Sequence, residues 1–187
     1  DGGAGSGSAS AAVVNVAPQL TGMAASAAIE GHVTTLTGTI VEPSPRDTFT
    51  LQVTWPGGEV TSSSYPAGST SIYEQRTVVD DDPTGTAADD MLVTATITDD
   101  DAGSSTSRTT VHVSNDPPSA GPTFDGSPSP FHEGETATLR GTIDQWSDSG
   151  AADTFTVEID WADGSPHETL DVSATPPRPY VATHTYV

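Results

Sequence analysis

The stretch DTFTLQVTW (47–55) returns as DTFTVEIDW (153–161), and this recurrence decides the fold. Phe49, Leu51, Val53 and Trp55 alternate with Thr50, Gln52 and Thr54, the period of two expected of a strand with one buried face. A second match precedes it: Glu30-Gly31, Thr35-Leu36 and Gly38-Thr39-Ile40 return as Glu133-Gly134, Thr138-Leu139 and Gly141-Thr142-Ile143. A third lays residues 1–18 without gaps on residues 101–118, with identities at positions 1, 3, 13, 15 and 18. The chain therefore repeats itself with a period of a little over 100 residues.

That period is the length of one immunoglobulin-like sandwich. Residues 1–18 read as the last strand and linker of a preceding repeat, 19–114 as one complete repeat, 115–118 as a linker, and 119–187 as part of a second repeat. Alternation and β-branched content predict strands over 33–40, 48–55, 59–63, 71–79, 91–98 and 106–113, with a weaker first strand within 19–28. No segment has helical periodicity. The expected fold is all-β: tandem seven-stranded antiparallel Ig-like sandwiches, the second incomplete. The opening DGGAGSGSAS reads as an internal start, so the chain is expected to be a fragment of a longer array.

Charge narrows the function. Five arginines and no lysine face 26 acidic residues, for a formal net charge of −21. Nucleic acid and anionic membrane surfaces are repelled by such a chain, whereas cations are attracted. The absence of cysteine excludes disulfides and zinc–thiolate sites. No apolar run approaches the ~18 residues of a membrane span, so no membrane insertion is expected.

WADGSP (161–166) followed by THTY (183–186) resembles the polycystic-kidney-disease (PKD) repeat, whose signature is a Trp strand, a Gly-Asp-Gly turn and a Thr-His-Thr-Tyr strand. ITDDDAGS (97–104) and VHVSNDPP (111–118) are similar to that family's last two strands and linker. The first repeat departs from the signature: WPGGE (55–59) lacks the Asp, and 72–77 lacks the His-Thr-Tyr. Bacterial Ig-like and cadherin-like repeats are also similar in pattern. The resemblance implies a secreted or cell-surface module for spacing, adhesion or substrate contact, with no catalysis of its own.

Up-and-down strand order places the acids. Asp80, Asp81 and Asp82, with Asp89 and Asp90, fall at the end of the complete repeat that carries Asn115 and Asp116, and Glu30 starts from the same end. Asp99, Asp100 and Asp101 fall at the opposite end beside Asn15, as does Asp47. The loop 144–153 of the second repeat, with Asp144, Asp148 and Asp153, faces the first group. One aspartate triplet alone is an ordinary solvated turn. Two triplets at opposite ends, with Glu-Gly in both repeats and Asn in both linkers, point to calcium, which takes six to eight oxygens in flexible geometry. Magnesium, which demands a tight octahedron, suits such loops less. The expected ligands are Glu30, Asp80, Asp81, Asp82, Asn115, Asp116, Asp144, Asp148 and Asp153, with Asp99 and Asp101 at the other end.

No G-x-S-x-G or H-E-x-x-H occurs, and the five histidines pair with no candidate nucleophile, so an enzyme is not expected. Trp55 and Trp161 occupy equivalent strand positions and read as core. Trp146 lies in a longer loop without counterpart in the first repeat; with Tyr180 it could stack on a sugar ring. The leading expectation is a calcium-stiffened spacer, adhesion or filament module of a large bacterial surface protein. The alternative is a carbohydrate-binding accessory module of a secreted hydrolase. Expected partners are neighbouring repeats, with self-assembly or a cell-surface polysaccharide as further options.

Overall fold

In a computed structural model, residues 2–4, 6–81, 86–124, 131–143, 153–175 and 177–187 are described. The sequence alternation sets the strands: β1 (Gln19–Ala25), β2 (Ala28–Ile29), β3 (Val33–Val41), β4 (Phe49–Thr54), β5 (Val60–Tyr65), β6 (Ser71–Thr77), β7 (Ala88–Asp99), β8 (Ser104–Ser114), β9 (Ala120–Phe124), β10 (Thr136–Ile143), β11 (Phe155–Ile159), β12 (Glu168–Val172) and β13 (Arg178–Thr185). Among the described residues the fold is all-β and sandwich-like, with one 3-10 turn at Pro56–Gly58 and no α-helix. Among the described residues no helix is long and apolar enough to cross a membrane.

Strand order in the sheets is β1-β3-β6, β2-β8-β7-β4-β5, β13-β10-β9 and β11-β12. The sequence repeat is thus also a repeat of sheet order: β10 lies between β9 and β13 as β3 lies between β1 and β6, and β11 pairs with β12 as β4 pairs with β5. Among the described residues of 19–114 there are eight strands, not the expected seven, because the first strand divides. Ser26 marks the break. It accepts from Thr34 Oγ1 through its carbonyl (2.6 Å), and its Oγ accepts from the Thr35 N–H (2.9 Å). Beyond it, β2 leaves the β3 sheet and pairs parallel with β8, Ala28 opposite Val113.

Two compact units interleave in sequence: 1–23, 37–73 and 93–109 form one, and 24–36, 74–92 and 110–187 the other. In the first, Phe49, Leu51, Val53 and Trp55 are buried, as are Val93, Ala95 and Ile97. The antiparallel register of β4 on β7 sets Leu51 opposite Ile97 and Val53 opposite Ala95. Burying such a Leu, Ile or Val side chain contributes roughly 1.5–3 kcal/mol, which is why the alternation is strict. In the second unit, Ala137, Leu139, Ile143, Phe155, Ile159, Trp161, Val172, Tyr180 and Ala182 form one core cluster. Gly141 is directly opposite Tyr180, and any Cβ there would collide with the phenol ring.

Candidate metal centre

Glu30 is fixed by backbone bonds before its side chain is considered. Its N–H donates to Ser114 O (3.0 Å), the next residue Gly31 donates to Val78 O (2.6 Å), and Val78 N–H donates to His32 O (3.0 Å). Gly31 has φ +71°, so a side chain there would be strained. These bonds tie the turn after β2 to the end of β8 and to the segment following β6, which carries Asp80 and Asp81. Asp153, just before β11, completes the group: one carboxylate oxygen from each of Glu30, Asp80, Asp81 and Asp153 lies within 4.8 Å of all the others.

Burial makes this cluster unusual. Glu30 is 0% exposed and Asp81 5% exposed. The Asp116 N–H donates to Glu30 Oε1 at 3.0 Å, but Glu30 Oε2, Asp81 Oδ2 and Asp153 Oδ2 are buried with no hydrogen-bond partner. Asn115 Oδ1 is likewise buried and unpartnered. Burial, then the charges of Asp153, Asp81 and Asp80, push the Glu30 carboxyl above its ordinary value. Asp81 is pushed up by burial and by Asp153, Asp80 and Asp89. Two unit charges 4 Å apart repel by about 1 kcal/mol in bulk water and about 4 kcal/mol near a protein surface. The protein holds four such groups together, and no basic side chain acts on Glu30 or Asp81 among the charges that shift them.

The expected ligands divide accordingly. Glu30, Asp80, Asp81 and Asp153 are brought together; Asp116 takes part through its N–H, and Asn115 through an unpartnered oxygen. Asp82, Asp144 and Asp148 lie outside the described residues, as does Trp146. Asp99 belongs to a second group, with Glu42 and Asp47. Asp101 is exposed and is not among that trio. Tyr180 is not the exposed sugar platform expected of it: at 5% exposure it is a core residue, because β13 turns Arg178, Tyr180 and Ala182 inward.

The second group is wired differently. Asn15 Nδ2 donates to Asp99 Oδ2 (2.9 Å) and the Gly103 N–H donates to Asp99 Oδ1 (2.7 Å). Ser44 Oγ donates to Asp47 Oδ1 (2.6 Å), and the Ser44 N–H to Glu42 Oε1 (3.0 Å). Within this trio, Glu42 Oε2 alone is left buried without a partner. Glu42 is a residue that the repeat pattern missed. Its signal was faint: a single Glu after a strand, five positions before Asp47.

His184 has a structural setting. Its Nε2 is 2.7 Å from Asp163 Oδ2, and its ring stacks on Trp161 at 5.0 Å and meets Tyr186 edge-on. Hydrogen bonds from Ser165 and His184 hold the Asp163 carboxyl well below the usual carboxylate range. The WADGSP and THTY segments are therefore joined side chain to side chain. No family model matches the chain, and no curated protein matches it in sequence.

Proposed function

We propose that this chain is a non-catalytic, extracellular tandem-repeat segment of a large bacterial surface protein, a calcium-stiffened spacer, adhesion or filament module of PKD-like or related Ig-like sandwiches. Support for the sandwich type comes from the sheet order: β1-β3-β6 beside β2-β8-β7-β4-β5, with the order of β3 and its neighbours and of the β4–β5 pair repeated in the second copy of the motif.

The single observation that carries the calcium reading is the set of buried, unpartnered oxygens on Glu30, Asp81 and Asp153. Buried polar groups are almost always hydrogen-bonded, and buried charges are paired or bind metal. Here the donors are all oxygen, which favours a hard cation over zinc or copper. Carboxylates from three separate chain segments, with Asn115 to add, suit the six to eight ligands and loose geometry of calcium better than the strict octahedron of magnesium. Glu30 and Asp81 precede the linker 115–118 and Asp153 follows it. A bound ion would therefore hold the second repeat's loop to the first repeat and limit bending there.

Thermal melting in chelator and across a calcium titration tests the reading. Binding to the folded state alone adds RT ln(1 + [Ca]/Kd), about 2.7 kcal/mol at a hundredfold excess. Extracellular calcium modules have Kd of about 10⁻⁴–10⁻³ M, which sets the titration range. A melting temperature indifferent to calcium sinks the proposal.

A further inference from the structure

The outward face of β5-β4-β7-β8 is built from hydroxyls. Phe49, Leu51 and Val53 on β4, and Val93, Ala95 and Ile97 on β7, point inward, so the residues between them point out. These are Thr50, Gln52 and Thr54, set beside Thr98, Thr96 and Thr94. On one flank β5 places Ser64 against Thr50 and Ser62 against Gln52. On the other flank the Thr96 and Thr106 hydroxyls are 2.8 Å apart, which brings Arg108, two residues further along β8, level with Thr94. No acid stands among these side chains, although the chain has 26. Asp100, past Thr98 at the end away from Arg108, accepts from the Thr48 N–H (3.2 Å).

The second repeat shows that the fold does not require this. There Thr156, Glu158 and Asp160 hold the positions of Thr50, Gln52 and Thr54, and Asp171 pairs with Thr156 as Ser64 pairs with Thr50. The same pleat therefore accepts acids in one repeat and lacks them in the other. Arg108 adds a second peculiarity. It is exposed, and among the described residues it has no hydrogen-bond or ion-pair partner, in a chain with five acids for every arginine.

We propose that this face binds a glycan that carries a single carboxylate. Charge and size select that ligand. A net charge of −21 repels polyanions such as nucleic acids and sulfated polymers, but one carboxylate can reach a free guanidinium whose surroundings hold no competing acid. The planar fork of Arg108 suits bidentate pairing with it. Each Ser and Thr hydroxyl both donates and accepts, and the Gln52 amide does the same, so the lattice matches sugar hydroxyls in either sense. The threonine methyls give the C–H faces of sugar rings an apolar contact. With strands ~4.8 Å apart and same-face side chains ~6.8 Å apart, the patch measures roughly 14 Å by 14 Å. That is far less than the ~800 Å² per partner of a stable protein complex, but it suits a short oligosaccharide. Affinity at one such face is low, and repetition along a glycan-coated surface raises it.

The test uses the whole chain in chelator, so that no bound cation can bridge to a carboxylate and the metal centre plays no part. NMR titrations compare sialyllactose, a trisaccharide ending in glucuronic acid, and lactose at physiological ionic strength. At least one acidic probe is expected to bind roughly tenfold or more tightly than lactose, and which of them binds identifies the acid sugar. Arg108→Gln, at an exposed position, is expected to weaken that binding by a similar factor. Gln52→Glu combined with Thr54→Asp gives the first repeat the acids of the second. It is expected to abolish binding with little change in melting temperature, because Glu158 and Asp160 already occupy the equivalent positions. Failure of both acidic probes to bind, lactose binding as tightly as they do, or wild-type affinity in Arg108→Gln would each overturn the proposal. So would sedimentation showing self-association, without sugar, that Arg108→Gln abolishes, since the face would then belong to a second copy of the chain.

Discussion

The two carboxylate groups of this molecule differ in what surrounds similar residues. At Asp99, Asp47 and Glu42, hydrogen bonds from Asn15, Gly103 and Ser44 occupy the acids one by one. At Glu30, Asp80, Asp81 and Asp153, the acids converge while three of their oxygens stay buried and unpartnered. The first arrangement is a set of turns that stabilise themselves. The second is costly until something positive enters. Acid count does not separate the two; donor supply does.

The largest expected contrast comes from neutralising one acid in each group. Glu30→Gln removes the most buried charge and adds an amide donor for the oxygens of its neighbours. In chelator it is expected to raise the melting temperature; in saturating calcium it is expected to lose the whole ligand-dependent gain, about 2.7 kcal/mol at a hundredfold excess. Asp99→Ala takes the acceptor from Asn15 and Gly103 and is expected to cost about 1–3 kcal/mol, equally with and without calcium. Melting curves for both variants in both conditions check this. Equal calcium responses in the wild type and Glu30→Gln would dissolve the distinction.

Acid titration sharpens the comparison next. The Glu30 and Asp81 pKa values are raised in the folded protein, so the folded state binds protons more tightly than the unfolded chain does. Its stability in chelator therefore rises as pH falls through those raised values, and the gain is complete below the ordinary values of 4.5 and 3.8. Saturating calcium should reverse that slope, because protons then compete with the ion. Asp163 has the opposite sign: its lowered value gives stability present above 3.8 and lost only in stronger acid. Denaturant melts of the wild type and Glu30→Gln from pH 7 to about 4 separate these contributions.

The strands were readable from sequence because their apolar positions alternate without interruption, as in 49–55 and 93–97. What escaped has local causes. The PKD resemblance puts only the Thr-His-Thr end of β13 on a strand; the alternation does not reach its first half, where one of the inward positions is Arg178, a charged side chain. Its guanidinium lies 4.1 Å from the Phe155 ring centre and Nε donates to Ala174 O, so it is buried despite its charge. Without that half of the strand, Tyr180 could not be assigned to the core. The division of the first strand turns on the hydrogen bonds of Ser26 with Thr34 and Thr35, which have no periodic signature. In the candidate site, the meeting of Glu30 with the aspartates after β6 followed from strand direction alone. The missing donors did not, since they depend on which side chains reach which oxygens.

Simple salt gives the smallest and least selective effect. With 26 acids against five arginines, self-repulsion acts over the whole surface and is screened by any electrolyte, the Debye length falling from ~10 Å at 0.1 M to ~3 Å at 1 M. Sodium chloride is therefore expected to raise the melting temperature gradually in the wild type, Glu30→Gln and Asp99→Ala alike. Calcium acts differently, because only a chelated ion satisfies buried oxygens that diffuse counter-ions cannot reach. The expected signature is a calcium response in the wild type that saturates at low concentration and survives added sodium chloride, on top of a shallow salt slope common to all three proteins. Were sodium chloride at matched ionic strength to reproduce the calcium effect in full, the Glu30 group would be a crowded acidic surface like any other, and its contrast with the Asp99 group would be one of hydrogen bonding alone.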